Sequence, residues 1–437
     1  MKRGLAVAVV AVMAAPAAAL ASWDNIENER TLIEILQEKR LEDAIERGDS
    51  SKRDVSPEEM QKERQEQLTP EEAGQKKGRF AILPEIGFSP EKGANGGIKV
   101  TDRNFMGLTV DLSAAAAMNG QYKGKFSVVH PDLADEWVIL LVGAEFRIDP
   151  TKEYFGLGNN EVGPDELSTH EHQLINAKMA LGLRLTRRFT LVGSFDYNEV
   201  QVHDGDRKDE DGEDIPFTEE LFPNLRGIGG GKTSPVSVAL IFNDRDDVTR
   251  PVKGWSIIAK YQRSDEWADN RFEFQRYIFE ASYLYPLFTR RQVIGVRAGG
   301  EYMEEHNGPL PFFELASLGG GDDLRGYFQD RFIGKAKFIA GGEYRLKLLD
   351  FDFFDIWHVK IDGVGFGDVA RVFLDDDEVQ EISGEGAAVQ PDTNDDVRIS
   401  YGGGVRFALG QAIIARIDVG FSEEESGLVY LVFGHTF

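Results

Sequence analysis

INAKMALGLRLT, Ile175 to Thr186, alternates without a break. Ile175, Ala177, Met179, Leu181, Leu183 and Leu185 fall on one side of an extended chain. Asn176, Lys178, Ala180, Gly182, Arg184 and Thr186 fall on the other. A period of two is the mark of a strand with one apolar and one polar face. One such strand would suit a soluble sandwich equally well. Repetition decides the matter, because the pattern recurs from Arg79 to the C-terminus with no helical period between segments.

About sixteen such segments can be placed, the even-numbered alternation of an outer-membrane barrel. They fall near 79–88, 96–103, 107–117, 121–129, 136–148, 171–186, 189–204 and 235–243 in the first half. The second half adds 254–265, 271–286, 291–303, 336–348, 357–373, 398–408, 411–422 and 427–437. The long connections, 149–170, 205–234, 304–335 and 374–397, all follow odd-numbered segments. Those after even-numbered segments are short, the longest being Asn243 to Gly254. Long loops on one side and short turns on the other are what such barrels show. The expected fold is therefore all-β: a 16-stranded antiparallel transmembrane barrel over 79–437. A sheet of this size must close or split to remove its edges, and in lipid only closure satisfies every backbone amide. Trp137, Phe189, Tyr285, Trp357, Phe373, Phe433 and Phe437 lie at segment ends, where interfacial girdles belong.

The rest of the chain fits an exported protein. MKRGLAVAVVAVMAAPAAALAS has a basic start, a short apolar core and a small-x-small site at Ala19 to Ala21, so 1–21 is read as a signal peptide. Residues 22–78 are highly charged, with Leu32, Ile33, Ile35, Leu36, Leu41 and Ile45 near helical spacing. They are read as a short helical or disordered periplasmic segment, with docking on the barrel as the alternative. The 437 residues carry a net charge of -26, which opposes nucleic-acid binding. They include no cysteine, which excludes thiolate chemistry. The mean hydropathy of -0.33 is no objection to a barrel, whose lumen and loops are polar.

The connection before the twelfth segment contains LASLGGGDDLRGYFQDRF, Leu315 to Phe332. Its glycines permit positive φ and a tight fold, so the loop can tuck into the lumen. A buried Arg325 then needs carboxylates. Glu343 alternates with Lys337, Arg345 and Lys347 on the polar face of the next strand, and Asp368 with His358, Lys360 and Asp362 on the one after. Both acids are expected to point inward and clasp Arg325.

These features resemble the BamA/TamA-like outer-membrane proteins, whose barrel is also called the bacterial surface antigen domain. The family's arginine-glycine loop motif corresponds to Asp323, Leu324, Arg325, Gly326 and Tyr327, and its inward acid to Glu343. Its Phe-x-Asp-x-Gly corresponds to Phe366 through Ala370, with alanine in place of the final glycine. DRDDVTRPVKGW, with Arg245, Asp246, Pro251 and Gly254, resembles a family turn, and YFGLGNN, Tyr154 to Asn160, a family loop. ARIDVGF and VYLVFGHTF resemble the last two strands, ending on Phe437 as C-terminal signal. The resemblance implies that the sixth outer loop folds into the lumen, with Arg325, Gly326 and Tyr327 latched on Glu343 and Asp368. It also implies a weak seam between first and last strands, which Pro84 would weaken further or simply tolerate.

The expected function is insertion or translocation of polypeptides, or lipids, at the bacterial outer membrane. The alternative is a passive diffusion channel or surface-binding barrel. Expected partners are outer-membrane lipids, lipopolysaccharide, unfolded client polypeptides and periplasmic accessory proteins, with no cofactor, metal or catalytic residue. Residues 22–78 lack the βααββ pattern of the POTRA domains that assembly members carry. Other signals are set aside. LRGIGGGKTS, Leu225 to Ser234, has Arg226 where a phosphate loop needs glycine and is read as a flexible loop. Asp204 to Ile215 and Asp375 to Glu378 are read as solvated acidic loops, with weak calcium binding as the alternative. His170 and His172 are read as surface histidines.

Overall fold

A computed structural model of the chain describes residues 80–134, 137–159, 167–205, 215–247, 250–265, 272–353, 357–384, 396–409 and 413–433. The expected signal peptide, the segment 22–78 and Phe437 lie outside the described residues.

The first strands are β1 (Phe80–Ser89), β2 (Gly93–Phe105), β3 (Leu108–Ala117), β4 (Tyr122–Leu133), β5 (Val138–Tyr154), β6 (Ser168–Arg184) and β7 (Phe189–Asp204). Next come α1 (Thr218–Leu221), β8 (Gly231–Thr233), β9 (Val236–Asn243), β10 (Gly254–Ser264), β11 (Phe274–Pro286) and β12 (Gln292–Glu305). A loop hairpin of β13 (Ala316–Leu318) and β14 (Phe332–Gly334) follows. Then come β15 (Ala336–Phe353), β16 (Trp357–Phe373), α2 (Asp376–Ser383), β17 (Arg398–Leu409), β18 (Ile413–Phe421) and β19 (Leu428–Phe433). Every strand of the wall pairs antiparallel with its neighbour, and β1 pairs with β19, so the sheet closes. β8 and β9 form one stave. Both pair with β7, and the break falls at Pro235, which has no ladder donor. The wall therefore has the sixteen staves that the sequence led us to expect.

The period-two faces follow the wall. Met179 and Leu185 are about half exposed on the outside, whereas Lys178 and Ala180 on either side of Met179 are buried on the inside. Ile98, Leu112, Phe126, Val142, Leu240, Phe279 and Phe338 continue this outer apolar band. Among the girdle residues, Trp137, Phe189 and Tyr285 are exposed near the end with short turns, and Phe373 near the opposite end. The side chains of Trp357 and Phe433 lie outside the description. The β2–β3 turn is Met106-Gly107, both at positive φ (56° and 85°), the tight form that matches strand twist.

The long connections all emerge at one end, as expected, but three readings change there. β5 runs six residues further than expected, to Tyr154, and β6 begins three residues earlier, at Ser168. His170 and His172 therefore lie in β6 and are buried, not at the surface. The polar residues of 149–154 hid this extension because a bulge between Asp149 and Lys152 shifts the alternation. LRGIGGGKTS is not a loose loop either. Leu225 is buried, and Gly231–Thr233 is the strand β8. Asp375 to Glu378 opens α2 with a capping box, and Glu378 accepts from Lys335 at 2.6 Å. Most of the acidic run 204–215 lies outside the described residues.

Over this end the loops pack on each other. Phe222 and Leu225 from the β7–β8 connection, Leu310, Phe312 and Leu315 from the β12–β13 connection, and Val379 and Ile382 of α2 share one buried apolar cluster with Tyr154 and Phe274.

Candidate functional site

The connection from β12 to β15 turns back into the barrel. Gly319 and Gly320 have φ of 126° and 90°, a conformation that favours glycine. The turn delivers Leu324 and Tyr327, both fully buried, to an apolar patch that includes Leu318 and Phe332 of the hairpin and Ala370 and Val372 of β16. Apolar contact thus seats the loop, and the polar residues between are carried inward with it.

Arg325 is one of these, and it has no solvent exposure. Its Nε and one terminal nitrogen donate to the two oxygens of Asp368, at 2.8 and 3.0 Å, and the other terminal nitrogen donates to Glu343 at 3.2 Å. This is a bidentate fork on one carboxylate with a single bond to a second. The guanidinium carbon also lies 3.5 Å from the centre of the Phe366 ring. Burial disfavours the charge of Arg325, but Asp368 and then Glu343 more than offset this, and its pKa is held above the ordinary value. Tyr327, in the same loop, is pushed up to about 12, first by burial and then by the Glu423 and Glu424 carboxylates.

The two carboxylates serve several cations. Glu343 accepts from Arg345 at 2.5 Å and from Arg406 at 3.1 Å. Arg406 also donates to Asp418 at 2.5 Å. Asp368 accepts from Arg297 at 3.3 Å, and Arg297 also holds the backbone carbonyls of Asp322 and Asp323. Asp322 pairs with Arg416 on β18. Further up, Arg276 of β11 binds Glu314 at 2.8 Å at the base of the hairpin. Sequence reasoning missed Arg276, Arg297, Arg406 and Arg416. Each shows the inward parity of its strand, but parity alone does not say which inward cations the loop reaches.

Glycines on the inner wall make room for this loop. A Cβ on Gly420 would collide with the carbonyl of Arg325, and one on Gly402 with Phe366 and the carbonyl of Val419. A Cβ on Gly326 would collide with the carbonyl of Phe421. Gly326 is thus a close-approach residue, where the sequence offered only a motif position.

The turn Asn243 to Gly254 is ordered by its acids. Asp246 accepts from the backbone of Val252 and Lys253, at 2.9 and 3.1 Å, and from Arg290 at 2.7 Å. Asp244 accepts from the backbone of Trp255 at 2.7 Å. Arg245 donates to Asn243 at 3.3 Å, Pro251 is buried, and Gly254 has φ of 118° with no room for a side chain beside Arg245. Arg250, not singled out in the sequence, forks onto Asp362 of β16 at 2.7 and 2.6 Å. That contact spans the short-turn end from the β9–β10 turn to a distant stave. The loop beginning at Tyr154 also joins the infolded hairpin. The Gly158 amide donates to the Ile333 carbonyl at 2.7 Å, and Asn159 donates to Val372 of β16 at 3.0 Å.

Comparison with known proteins agrees with the barrel fold. The sequence matches the Omp85 superfamily domain over residues 104–437. The fold is similar to that of BamA from Haemophilus ducreyi lacking POTRA domains 1–3, with a TM-score of 0.59 and 16% identity, covering 82% of this chain and 70% of that one. It is also similar to CdiB from Escherichia coli, with a TM-score of 0.55 and 11% identity, covering 81% of this chain and 62% of that one. At these identities the likeness speaks to the fold alone. A search of curated proteins returned no match.

Proposed function

This chain belongs to the Omp85 superfamily, and from that premise we propose that it inserts or translocates polypeptides at the bacterial outer membrane. The observation that carries the reading is the fully buried Arg325 of an infolded loop, held by Glu343 and Asp368 on adjacent staves of a closed barrel. In this reading Arg325, Gly326 and Tyr327 with Glu343 and Asp368 form an architectural latch. The carboxylates are already saturated by guanidinium groups, which suits holding and not proton transfer.

A latched loop alone would suit any plugged barrel, so the seam matters as well. β1 follows β2 through ten register pairs, from Phe80 opposite Asp102 to Ser89 opposite Gly93. Between β1 and β19 the described residues show Phe88 opposite Leu431. Pro84 sits inside β1 with the β2 register unbroken around it, opposite Ile98, and it offers no amide to either neighbour. Among the described residues this junction shows fewer register pairs than β1 with β2, which supports it as the place where a backbone partner is exchanged for a client strand. Signal-directed export, a periplasmic segment 22–78, outward-facing long loops, and contacts with lipid, lipopolysaccharide, unfolded clients and accessory proteins complete the proposal.

The apolar loop cluster over the long-loop end counts against a passive diffusion channel, which needs a wetted path. The test is site-specific crosslinking from β1 and β19 in living cells. Capture of nascent barrel strands supports the reading. A steady open-pore conductance with no captured client would refute it.

A further inference from the structure

We infer that the tip of the infolded loop is a strap across the seam, tying the β1 side of the barrel to the β19 side through Glu91 and Tyr430. This deepens the proposed function and rests on it only in taking the β1–β19 junction as the place where the wall opens.

Each side of the strap is visible in the side-chain contacts. On the β1 side, Glu91 stands in the β1–β2 turn, and its Oε1 accepts the backbone N–H of Gln329 at 2.7 Å. On the β19 side, the Tyr430 hydroxyl donates to the carbonyl of Tyr327 at 2.8 Å and lies 3.4 Å from the same Glu91 oxygen. The loop also packs flat on that tyrosine, since a Cβ on Gly321 would come within 2.9 Å of its ring. The connection from β18 to β19 adds Glu424, which accepts from Nε and one terminal nitrogen of Arg331 at 2.8 and 3.1 Å.

Residues Tyr327 to Arg331 therefore touch three parts of the wall: the turn after β1, β19 itself, and the turn before β19. The contacts lie next to Phe88 and Leu431, the described backbone register pair of the junction. A hydrogen bond from an amide to a carboxylate is stronger than one ladder bond between neutral groups. At its long-loop end the seam is thus closed by wall side chains gripping the loop backbone as well as by its own ladder. Parting β1 from β19 there requires Gln329 to leave Glu91, or Tyr430 to leave Tyr327. Withdrawing the loop breaks both contacts together. Loop position and seam opening are one coupled equilibrium, and Glu91 is the point of coupling on the β1 side.

Hydrogen exchange read by mass spectrometry on the full-length protein in lipid nanodiscs, with no client added, tests this. Glu91→Ala should raise exchange in peptides from β1 and β19 about tenfold or more, while β11 and β12 stay unchanged. Tyr430→Phe keeps the ring and should raise it several-fold. Glu91→Gln retains an acceptor oxygen and should restore protection close to the parent. A disulfide between Phe88→Cys and Leu431→Cys, added to Glu91→Ala, should return exchange to the parental rate. Unchanged exchange in both Glu91→Ala and Tyr430→Phe overturns the strap, as does an increase spread equally over β11 and β12. Because no client takes part, failure to capture clients in cells would sink the insertion reading without touching this result.

Discussion

Replacing Arg325 with alanine removes three hydrogen bonds to carboxylates and a guanidinium stacked on Phe366. Breaking a buried pair by deleting one partner costs about 3–5 kcal/mol, most of it from stranding the other charge. Here the stranded charges keep company. Glu343 retains Arg345 and Arg406, and Asp368 retains Arg297. With Asp418, three carboxylates would still face three guanidinium groups, so the cost belongs at the low end, about 3 kcal/mol. That corresponds to a shift on the order of 100-fold in the ratio of withdrawn to seated loop. Tyr327 is fully buried in the parent, so chymotrypsin should cut at Tyr327 or Phe328 only from the withdrawn state. Cleavage of the folded barrel in detergent should accelerate in proportion to that population. Arg325→Lys keeps the charge but not the fork, and should fall between parent and alanine variant. A cleavage rate for Arg325→Ala within about twofold of the parent would refute the view that this arginine seats the loop.

Three further outcomes follow from the same geometry. Gly420→Ala drives a methyl group into the carbonyl of Arg325, and it should unseat the loop with Arg325 intact, at a cost of about 1–3 kcal/mol, seen in the same chymotrypsin assay. Arg250→Ala breaks the fork on Asp362 at the short-turn end, where Arg250 keeps some exposure. The barrel's heat-modifiability midpoint should fall by an amount matching about 1–3 kcal/mol, with the loop still protease-resistant. Met179→Arg places a cation on the lipid face and should cost about 2–4 kcal/mol in urea-dependent folding into liposomes. Asn176→Arg, on the lumen face of the same strand, should cost much less.

Much of this architecture is legible one residue at a time. The alternation of Ile175 to Thr186 states which side chains meet lipid, because a strand's faces are set by parity alone and need no partner to be known. The inward direction of Glu343 and Asp368 follows in the same way. Parity failed at Asp149 to Lys152, where a bulge breaks the count and conceals the end of β5 and the start of β6. His170 and His172, read as surface residues because no third metal partner is evident, are buried, with Thr218 and Phe312 of the packed loops against His170.

What the sequence by itself determined, then, is the wall: its sixteen staves, its inside and outside, its long-loop end, and the arginine that must find acids. Which other cations share Glu343 and Asp368 with that arginine, the glycines of β17 and β18 that admit it, the reach of Arg250 to Asp362, and the meeting of Gln329 with Glu91 were decided only by closure. The physical reason is that strand pattern is a local property of the backbone. The lumenal contacts of Arg325 with Glu343 and of Gln329 with Glu91 join residues 18 and 238 positions apart, and their separation in space depends on how the whole cylinder curves shut.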